Sequence, residues 1–496
     1  MQLPLPLPEL AQIASTLPGP EDRIYVNRSL RLDQVQWVGF DMDYTLAIYH
    51  QDQMDRLSIE ATCKKLCERG YPETLVGMHY RTDFPIRGLL VDRKLGNVIK
   101  MDRFKYVKRA YHGMRELSRE ERRQAYHTRR LRPASGRYHW VDSLYALSEV
   151  TVYSAAIEAL EATGEHVDPE QLFTDVRECI DLSHRDGSIL NAITSDLERF
   201  VFRDPALGQT LHQLRSAGKK LFVLTNSYPE YTERMMEYLF ADQLGGRNYR
   251  SWRGYFDLVV TAAAKPSFFA HEGPMMRVAK PTDLPDAWTP HTGPGNREHT
   301  YAAGSVHALQ EMLGCSPDEV LYVGDHIYGD VLRAKKSSAW RTMLILQEMD
   351  VELQANSELE HSIARLDGLL EIRNQLLDDL REHQAVVRQL QRRKEAEGLP
   401  AAFEAERVRH RRAVDRLRQR LKAIEHEYDE LEAGVDHRFH PFWGSLFKAG
   451  PETSAFGNQV EGYAELYTAR VSNLRFYSPS HYFHSPRDRM PHELTF

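Results

Sequence analysis

The chain has 496 residues, too many for one ordinary core, so two or three domains are expected. Its 42% hydrophobic and 27% charged content fits a soluble globular protein, and a net charge of −7 argues against a general nucleic-acid binder. No apolar run approaches the ~20 residues of a membrane-spanning helix, so neither nucleic acid nor membrane is expected as a partner.

Residues 1–54 read as a Pro-rich N-terminal arm leading into the first core strand. The opening MQLPLPLPELAQIAS lacks the positive start and long apolar core of a secretory signal. Val35 to Phe40 is nearly all apolar, as in a strand covered on both faces of a parallel sheet. It stops at Asp41-Met-Asp43-Tyr-Thr45, at the strand end where open α/β sheets bind ligands. A carboxylate such as Asp41 can attack phosphorus and carry the phosphoryl group. A second one two residues on, Asp43, can protonate the leaving oxygen and later take a proton from water. Alone, this pair also fits a capped strand end or a metal clamp of another enzyme class.

Residues 55–195 carry no further phosphate motif and read as an inserted α+β cap over Asp41. They open on the rest of a helix closed by Gly70. Cys63 and Cys67 share one face of that helix without a partner pair at metal spacing. They read as buried thiols, and the four cysteines of the chain as those of a reducing cytoplasm. Arg87–Asp92 and Asn97–Asp102 flank Arg93–Gly96 as a β-hairpin. Arg103 to His139 holds twelve Lys or Arg against three Glu, which reads mostly as a solvated basic face, part of it open to phosphates or an acidic neighbour.

Residues 196–351 return to strand–helix units. Lys220–Leu224 ends in Thr225-Asn226-Ser227, and a helix begins near Pro229-Glu230. Phe256–Ala262 leads to Lys265-Pro266, and Val320–Gly324 delivers Asp325-His326-Ile-Tyr-Gly-Asp330. Strands alternating with helices predict an α/β fold with a parallel, doubly wound, Rossmann-like sheet. Residues 352–432 turn to Glu, Arg, Leu and Gln. Val414, Leu417, Leu421, Ile424, Tyr428 and Leu431 step by three and four, and an earlier arm from Leu366 to Leu390 is looser. Gly398-Leu-Pro400 separates the two, which predicts a long antiparallel helical hairpin with a structural or oligomeric role. Residues 433–496 are aromatic-rich and are expected to pack back on the core.

Each of these strand ends is weak evidence alone, but together they supply a phosphoryl transfer through aspartate. Asp41 is the candidate nucleophile and Asp43 the acid/base. Thr225 and Asn226 are candidates to hold phosphoryl oxygens, and Lys265 to offset the gathered negative charge. Asp325 with Asp41 offers hard oxygens to Mg²⁺, without which a phosphate dianion meets repulsion at Asp41.

The DMDYT, Thr-Asn-Ser, Lys-Pro and GDHIYGD motifs resemble those of the haloacid dehalogenase (HAD) superfamily of phosphohydrolases. FDMDYTLA, LTNSYPEYTERMMEYLF, KPSFF and YVGDHIYGDVLRAKK are similar to the cytosolic purine 5′-nucleotidase family that prefers IMP and GMP, and WGSLFKAG and MPHE in the tail match it too. That resemblance covers most of the chain. It implies Mg²⁺ dependence, hydrolysis of 6-oxopurine nucleoside monophosphates, phosphotransfer to nucleosides, activation by purine nucleotides, and tetramers. It further implies the backbone carbonyl of Asp43 as a metal ligand and Asp330 as support behind the metal. Asp175 to His184 looks like the family's base-reading helix, with Arg177, Asp181 and His184 along one face. Where the family has an aromatic and a Lys nearby, this chain has Arg185 and Leu190. It has Gly462 where the family tends to have an Arg near the effector site. The alternatives are a phosphatase for another small phosphomonoester, or a nucleotide-sensing scaffold without catalysis.

Overall fold

The computed structural model describes residues 18–127, 131–164, 167–244, 249–397, 401–487 and 493. Most of the N-terminal arm, Arg129 and Arg130 of the basic run, the expected break at 398–400 and residues 490–492 of the tail motif lie outside them. The chain divides into two compact units, Met1–Asp350 with Leu446–Phe496, and Val351–Ser445.

The first unit is an α/β structure built on a ten-stranded sheet. From edge to edge its strands are Tyr25–Val26, Leu466–Thr468, Arg341–Ile345, Val320–Gly324, Trp37–Phe40, Lys220–Leu224, Leu258–Thr261, Thr300–Ala303, Met275–Val278 and Thr289–Pro290. The seven from Leu466–Thr468 through Thr300–Ala303 run parallel, and the outer ones are antiparallel. Both faces are covered, which is why Trp37–Phe40 and Val320–Gly324 are buried at every position. Gly39 stands opposite Phe222 on the next strand, and a Cβ there would come within 2.1 Å of the phenyl ring. Only glycine lets that ring fill the space between the strands.

From Trp37–Phe40 the chain steps outward through the strands at 220, 258 and 300. It then crosses back to the other side of Trp37–Phe40 for the strands at 320, 341 and 466. That reversal is a topological switch point, and the crevice it opens lies at the carboxyl end of the strand bearing Asp41.

Between the first strand and Val201 the chain builds an antiparallel sheet flanked by helices Gln51–Glu68, Leu147–Ala162 and Pro169–Arg185. Gln51–Glu68 ends before Gly70, whose φ of +100° suits glycine alone. Leu90–Asp92 pairs with Asn97–Met101 across a turn in which Gly96 has φ +69°, and Tyr138–Trp140 adds on the other side. Some of the basic run is consumed here. Arg137 grips the buried Asp92 through two bonds of 2.8 and 2.6 Å, and Arg115 meets Glu121. The tail re-enters this unit: Leu466–Thr468 lies parallel to Arg341–Ile345, and Tyr482–Phe483 pairs with Leu30–Arg31.

The second unit is a helical hairpin, Glu360–Glu397 and Ala401–Phe439. Arg365–Glu427, His383–His410 and Lys394–Glu404 contacts fix its antiparallel register. Val414 and Tyr428 are buried in the seam, with Leu417, Leu421, Ile424 and Leu431 half-buried, as the three-four spacing demands. The second helix runs on to Phe439, where Ala355, Val435 and Phe439 form an apolar cluster. No helix among the described residues is long and apolar enough to cross a membrane.

Candidate active site

Four strand ends converge at the switch point, and each contributes a polar side chain. Asp41 is buried, its main-chain N–H on Val323 O at 2.9 Å and its Oδ1 accepting from Met42 N at 2.7 Å. Its Oδ2 lies 2.9 Å from Lys265 Nζ, which also donates to Asp330 Oδ1 at 2.6 Å and to the Tyr322 hydroxyl at 2.9 Å. Burial works against the charge on Lys265, but Asp330 and Asp41 outweigh it and hold its pKa above the usual lysine range.

Asp41, Asp325 and Asp330 are all buried, and one oxygen from each lies within 4.8 Å of the others. Burial, reinforced by Asp330, pushes Asp325 up to about 7, and burial raises Asp41 well above the carboxylate range. A lysine alone leaves this cluster with excess negative charge, and its donors are all hard oxygens. That chemistry fits a divalent cation of the Mg²⁺ type. Asp330, expected as support behind the metal, has its carboxylate in the same cluster and is the lysine's closer partner. Gly324 makes this possible, since a Cβ there would lie 2.6 Å from the Asp330 carboxylate.

Asp43 faces the other way. Ser227 Oγ donates to its Oδ2 at 2.6 Å and Tyr49 OH to its Oδ1 at 2.6 Å, with the Tyr231 hydroxyl 2.8 Å from that of Tyr49. Burial raises its pKa while the Ser227 and Tyr49 hydrogen bonds oppose the rise. Tyr49 and Tyr231 carry no spacing signal that would have marked them in the sequence. The backbone is strained on both sides of the site: Tyr44, Ala262 and Ala264 have φ of +57°, +46° and +57° without being glycine.

Thr225 is fully buried, its Oγ1 accepting from Ser227 N at 3.1 Å. The Asn226 side chain is spent on the main chain of Lys265, donating to its O at 3.0 Å and accepting from its N at 2.6 Å. It staples the lysine loop, a use that its position at a strand end did not announce.

In the segment inserted between Asp41 and Val201, Arg177 and Asp181 are exposed on helix Pro169–Arg185, and His184 is half-buried. Tyr145 stands beside them, its ring centroid 4.6 Å from that of His184, and Glu149 Oε2 lies 3.4 Å from Arg177 Nε. Burial lowers His184 to about 4 and raises Glu149 to about 7, the latter against the pull of Arg177. The same loop brings Asp142 to 3.3 Å from His326 Nε2, next to Asp325. A second link from the inserted segment to the Asp325 loop is Arg87, whose side chain is fully buried. It holds Glu348 through two bonds of 2.6 and 2.5 Å and donates to the main-chain O of Asp325 at 2.8 Å. Neither Tyr145, Glu149, Asp142 nor Arg87 lies in a motif, and only the folded cap brings them here.

At the switch point of the parallel sheet the strand-end carboxylate of Asp41 is thus buried beside a lysine and two further carboxylates. The chain belongs to the 5′-nucleotidase family, whose model matches residues 24–495, and it is a phosphomonoester hydrolase with a nucleotide as its class of substrate. It is 28% identical over 482 residues to a 5′-nucleotidase domain-containing protein of Dictyostelium discoideum, covering 96% of this chain and 75% of that one. Among solved structures it is similar to a predicted phosphoglycolate phosphatase from Haemophilus somnus, with 13% identity, 63% and 85% of the two chains covered and a TM-score of 0.26. It is also similar to CbbY from Rhodobacter sphaeroides, with 14% identity, 63% and 86% covered and a TM-score of 0.23. Superpositions this loose carry no inference about the present site.

Proposed function

We propose that this chain hydrolyses purine nucleoside 5′-monophosphates of the GMP and IMP type, with Mg²⁺, through a phosphoryl group carried on Asp41. The supporting observation is the buried cluster of Asp41, Asp325 and Asp330 with Lys265 between Asp41 and Asp330. Asp41, Asp325 and the main-chain carbonyl of Asp43 would hold the cation, with Asp330 beside them. When bound it would offset the charge of phosphate and carboxylates together. Asp41 attacks the 5′-phosphorus, and the ribose oxygen leaves as Asp43 protonates it. Water, losing its proton to Asp43, then attacks the phosphorus and frees Asp41; a nucleoside hydroxyl in place of that water gives phosphotransfer. Thr225 and Lys265 hold the phosphoryl oxygens, and Asn226 keeps the lysine loop in place.

For base recognition, Arg177, Asp181 and His184 supply donors and an acceptor for a 6-oxopurine. Tyr145 beside His184 supplies an aromatic face for it. A purine-nucleotide activator fits a separate cavity of about 990 Å³ whose lining includes Arg103, Lys105, Arg132, Trp140, Gln459 and Tyr463. These are cations for phosphates and rings for a base. Gln459 Nε2 donates to Tyr328 OH at 2.9 Å, which connects that cavity to the Asp325–Asp330 loop. A cytoplasmic homotetramer completes the reading.

Initial rates on IMP, GMP, AMP and UMP, with Mg²⁺ and with or without purine nucleotides as effectors, test the proposal. Faster release of phosphate from IMP and GMP supports it. Equal rates on all four, or a preference for a sugar phosphate, would move the chain to another phosphomonoester.

A further inference from the structure

Of the two donors on Asp43, one is built to stay and the other to leave. Tyr49 closes the short strand Ile48–Tyr49, which pairs with Val201–Phe202, and its ring centroid lies 4.8 Å from that of Tyr44. Tyr231 comes from helix Pro229–Phe240, and both tyrosines are buried. A phenol has one proton to donate. Tyr49 donates its own to Asp43 Oδ1 at 2.6 Å, so the 2.8 Å contact with Tyr231 is a hydrogen bond donated by Tyr231. Tyr231, Tyr49 and Oδ1 thus form one line, and hydrogen bonds in such a chain strengthen one another. Neither ring can turn away without opening a buried cluster and leaving a hydroxyl unpaired.

Ser227 is held differently. It is half-buried, and its Oγ reaches Asp43 Oδ2 at 2.6 Å through a single rotatable bond. Its main-chain N–H stays on Thr225 Oγ1 at 3.1 Å whichever way the hydroxyl points.

The chemistry makes the same division. Asp43 works first as an acid, with a proton on one oxygen, and then as a base, with none. The oxygen that never carries the proton can accept a hydrogen bond in both states, whereas the other must be free to exchange it. Oδ1, at the end of the tyrosine line, suits the first part, and Oδ2, beside the mobile hydroxyl, suits the second.

We propose that Tyr49 and Tyr231 are positioning residues that hold Asp43 Oδ1 through both half-reactions, while Ser227 releases Oδ2 to exchange protons with the substrate. As phosphorus passes to Asp41, the proton on Oδ2 goes to the ribose 5′ oxygen, whose bond to phosphorus breaks. Water then attacks phosphorus, its proton returns to Oδ2, and the bond from Asp41 to phosphorus breaks. Ser227 Oγ, once off Oδ2, donates to a phosphoryl oxygen. This role for the tyrosines rests on the catalytic reading of Asp41 and Asp43.

The test follows the phosphoryl group on Asp41 by rapid quench, with Mg²⁺ and two substrates. The ribose oxygen of GMP needs a proton to leave, whereas p-nitrophenyl phosphate releases a stable phenolate that needs none. Tyr49→Phe should slow labelling from GMP by about 10- to 100-fold, part of the ~10²–10⁴ of a general acid, and labelling from p-nitrophenyl phosphate by less than about threefold. A side chain that merely supports the fold would slow both. Tyr231→Phe keeps the Tyr49 hydroxyl and removes only its donor, so it should show the same selectivity in smaller measure, and it decides the matter should Tyr49→Phe not fold. Ser227→Ala should slow the two substrates alike. Equal slowing of both substrates by the tyrosine variants overturns the assignment, as does a GMP-selective loss in Ser227→Ala larger than that in Tyr49→Phe. A wild type that never labels Asp41 overturns it together with the catalytic reading, which tells the two failures apart.

Discussion

Asp43 is the residue on which the account of catalysis is most exposed, because both of its oxygens already accept hydrogen bonds from Ser227 and Tyr49. One donor must release it for the carboxyl to reach a leaving group. Asp43→Asn should therefore lower kcat by ~10²–10⁴, the usual share of a general acid/base. A loss under tenfold in steady-state rates would reassign the role. Asp55 gives a test of burial away from the chemistry. It is 3% exposed, accepts from Gln51 Nε2 at 3.0 Å, and burial lifts it from 3.8 to about 7. Because the folded pKa lies above the ordinary one, the stability Asp55 contributes is full below about pH 4 and is lost as pH rises through about 7. That loss is on the order of a few kcal/mol. Asp55→Asn should raise the thermal midpoint relative to wild type at about pH 8 and much less at about pH 5. An equal shift at both would show that the side chain is not buried as described.

At the level of elements, the four strand ends were legible because each is an apolar run that stops at a reactive side chain. Val35–Phe40, Lys220–Leu224 and Val320–Gly324 could be placed from composition alone, and the parallel sheet then put their ends on one edge. The cap was harder to read. Arg87 in a hairpin arm and Asp142 in a loop carry no periodicity, and their partners Glu348 and His326 lie some two hundred residues away in sequence, a pairing that only tertiary structure creates. Asn226 was legible as a residue of the site but not in its use, since a strand-end amide does not announce that it will hold another loop's backbone. Arg87 makes the coupling of cap to core measurable. Arg87→Met leaves Glu348 without its partner and the Asp325 carbonyl without its donor; because Glu348 is part-exposed, the cost falls below the about 3–5 kcal/mol of breaking a fully buried pair. We expect a lower thermal midpoint and weaker Mg²⁺ binding by calorimetry. Unchanged Mg²⁺ affinity would mean that the Asp325 strand end keeps its place without Arg87.

For the whole molecule, the net charge of −7 averages over features of opposite sign. It hides the cations around the cavity of about 990 Å³ and the carboxylates at the switch point. The proposed regulation runs from that cavity to the site through Gln459 and Tyr328. Gln459→Ala should leave basal hydrolysis of GMP near wild type and reduce stimulation by added purine nucleotide at least about fivefold, the lower range of allosteric coupling. Stimulation that survives the change would place any activator elsewhere.

All of these roles depend on Asp41 becoming covalently phosphorylated in a pocket whose negative charge a lysine and a cation offset. The most direct measurement is mass spectrometry of the protein, quenched in acid during turnover of GMP with Mg²⁺. The account predicts a phosphoryl group on the peptide that carries Asp41, absent from Asp41→Asn, with that variant folded by circular dichroism and inactive. Steady release of phosphate by Asp41→Asn, or turnover with no label on that peptide, would contradict it.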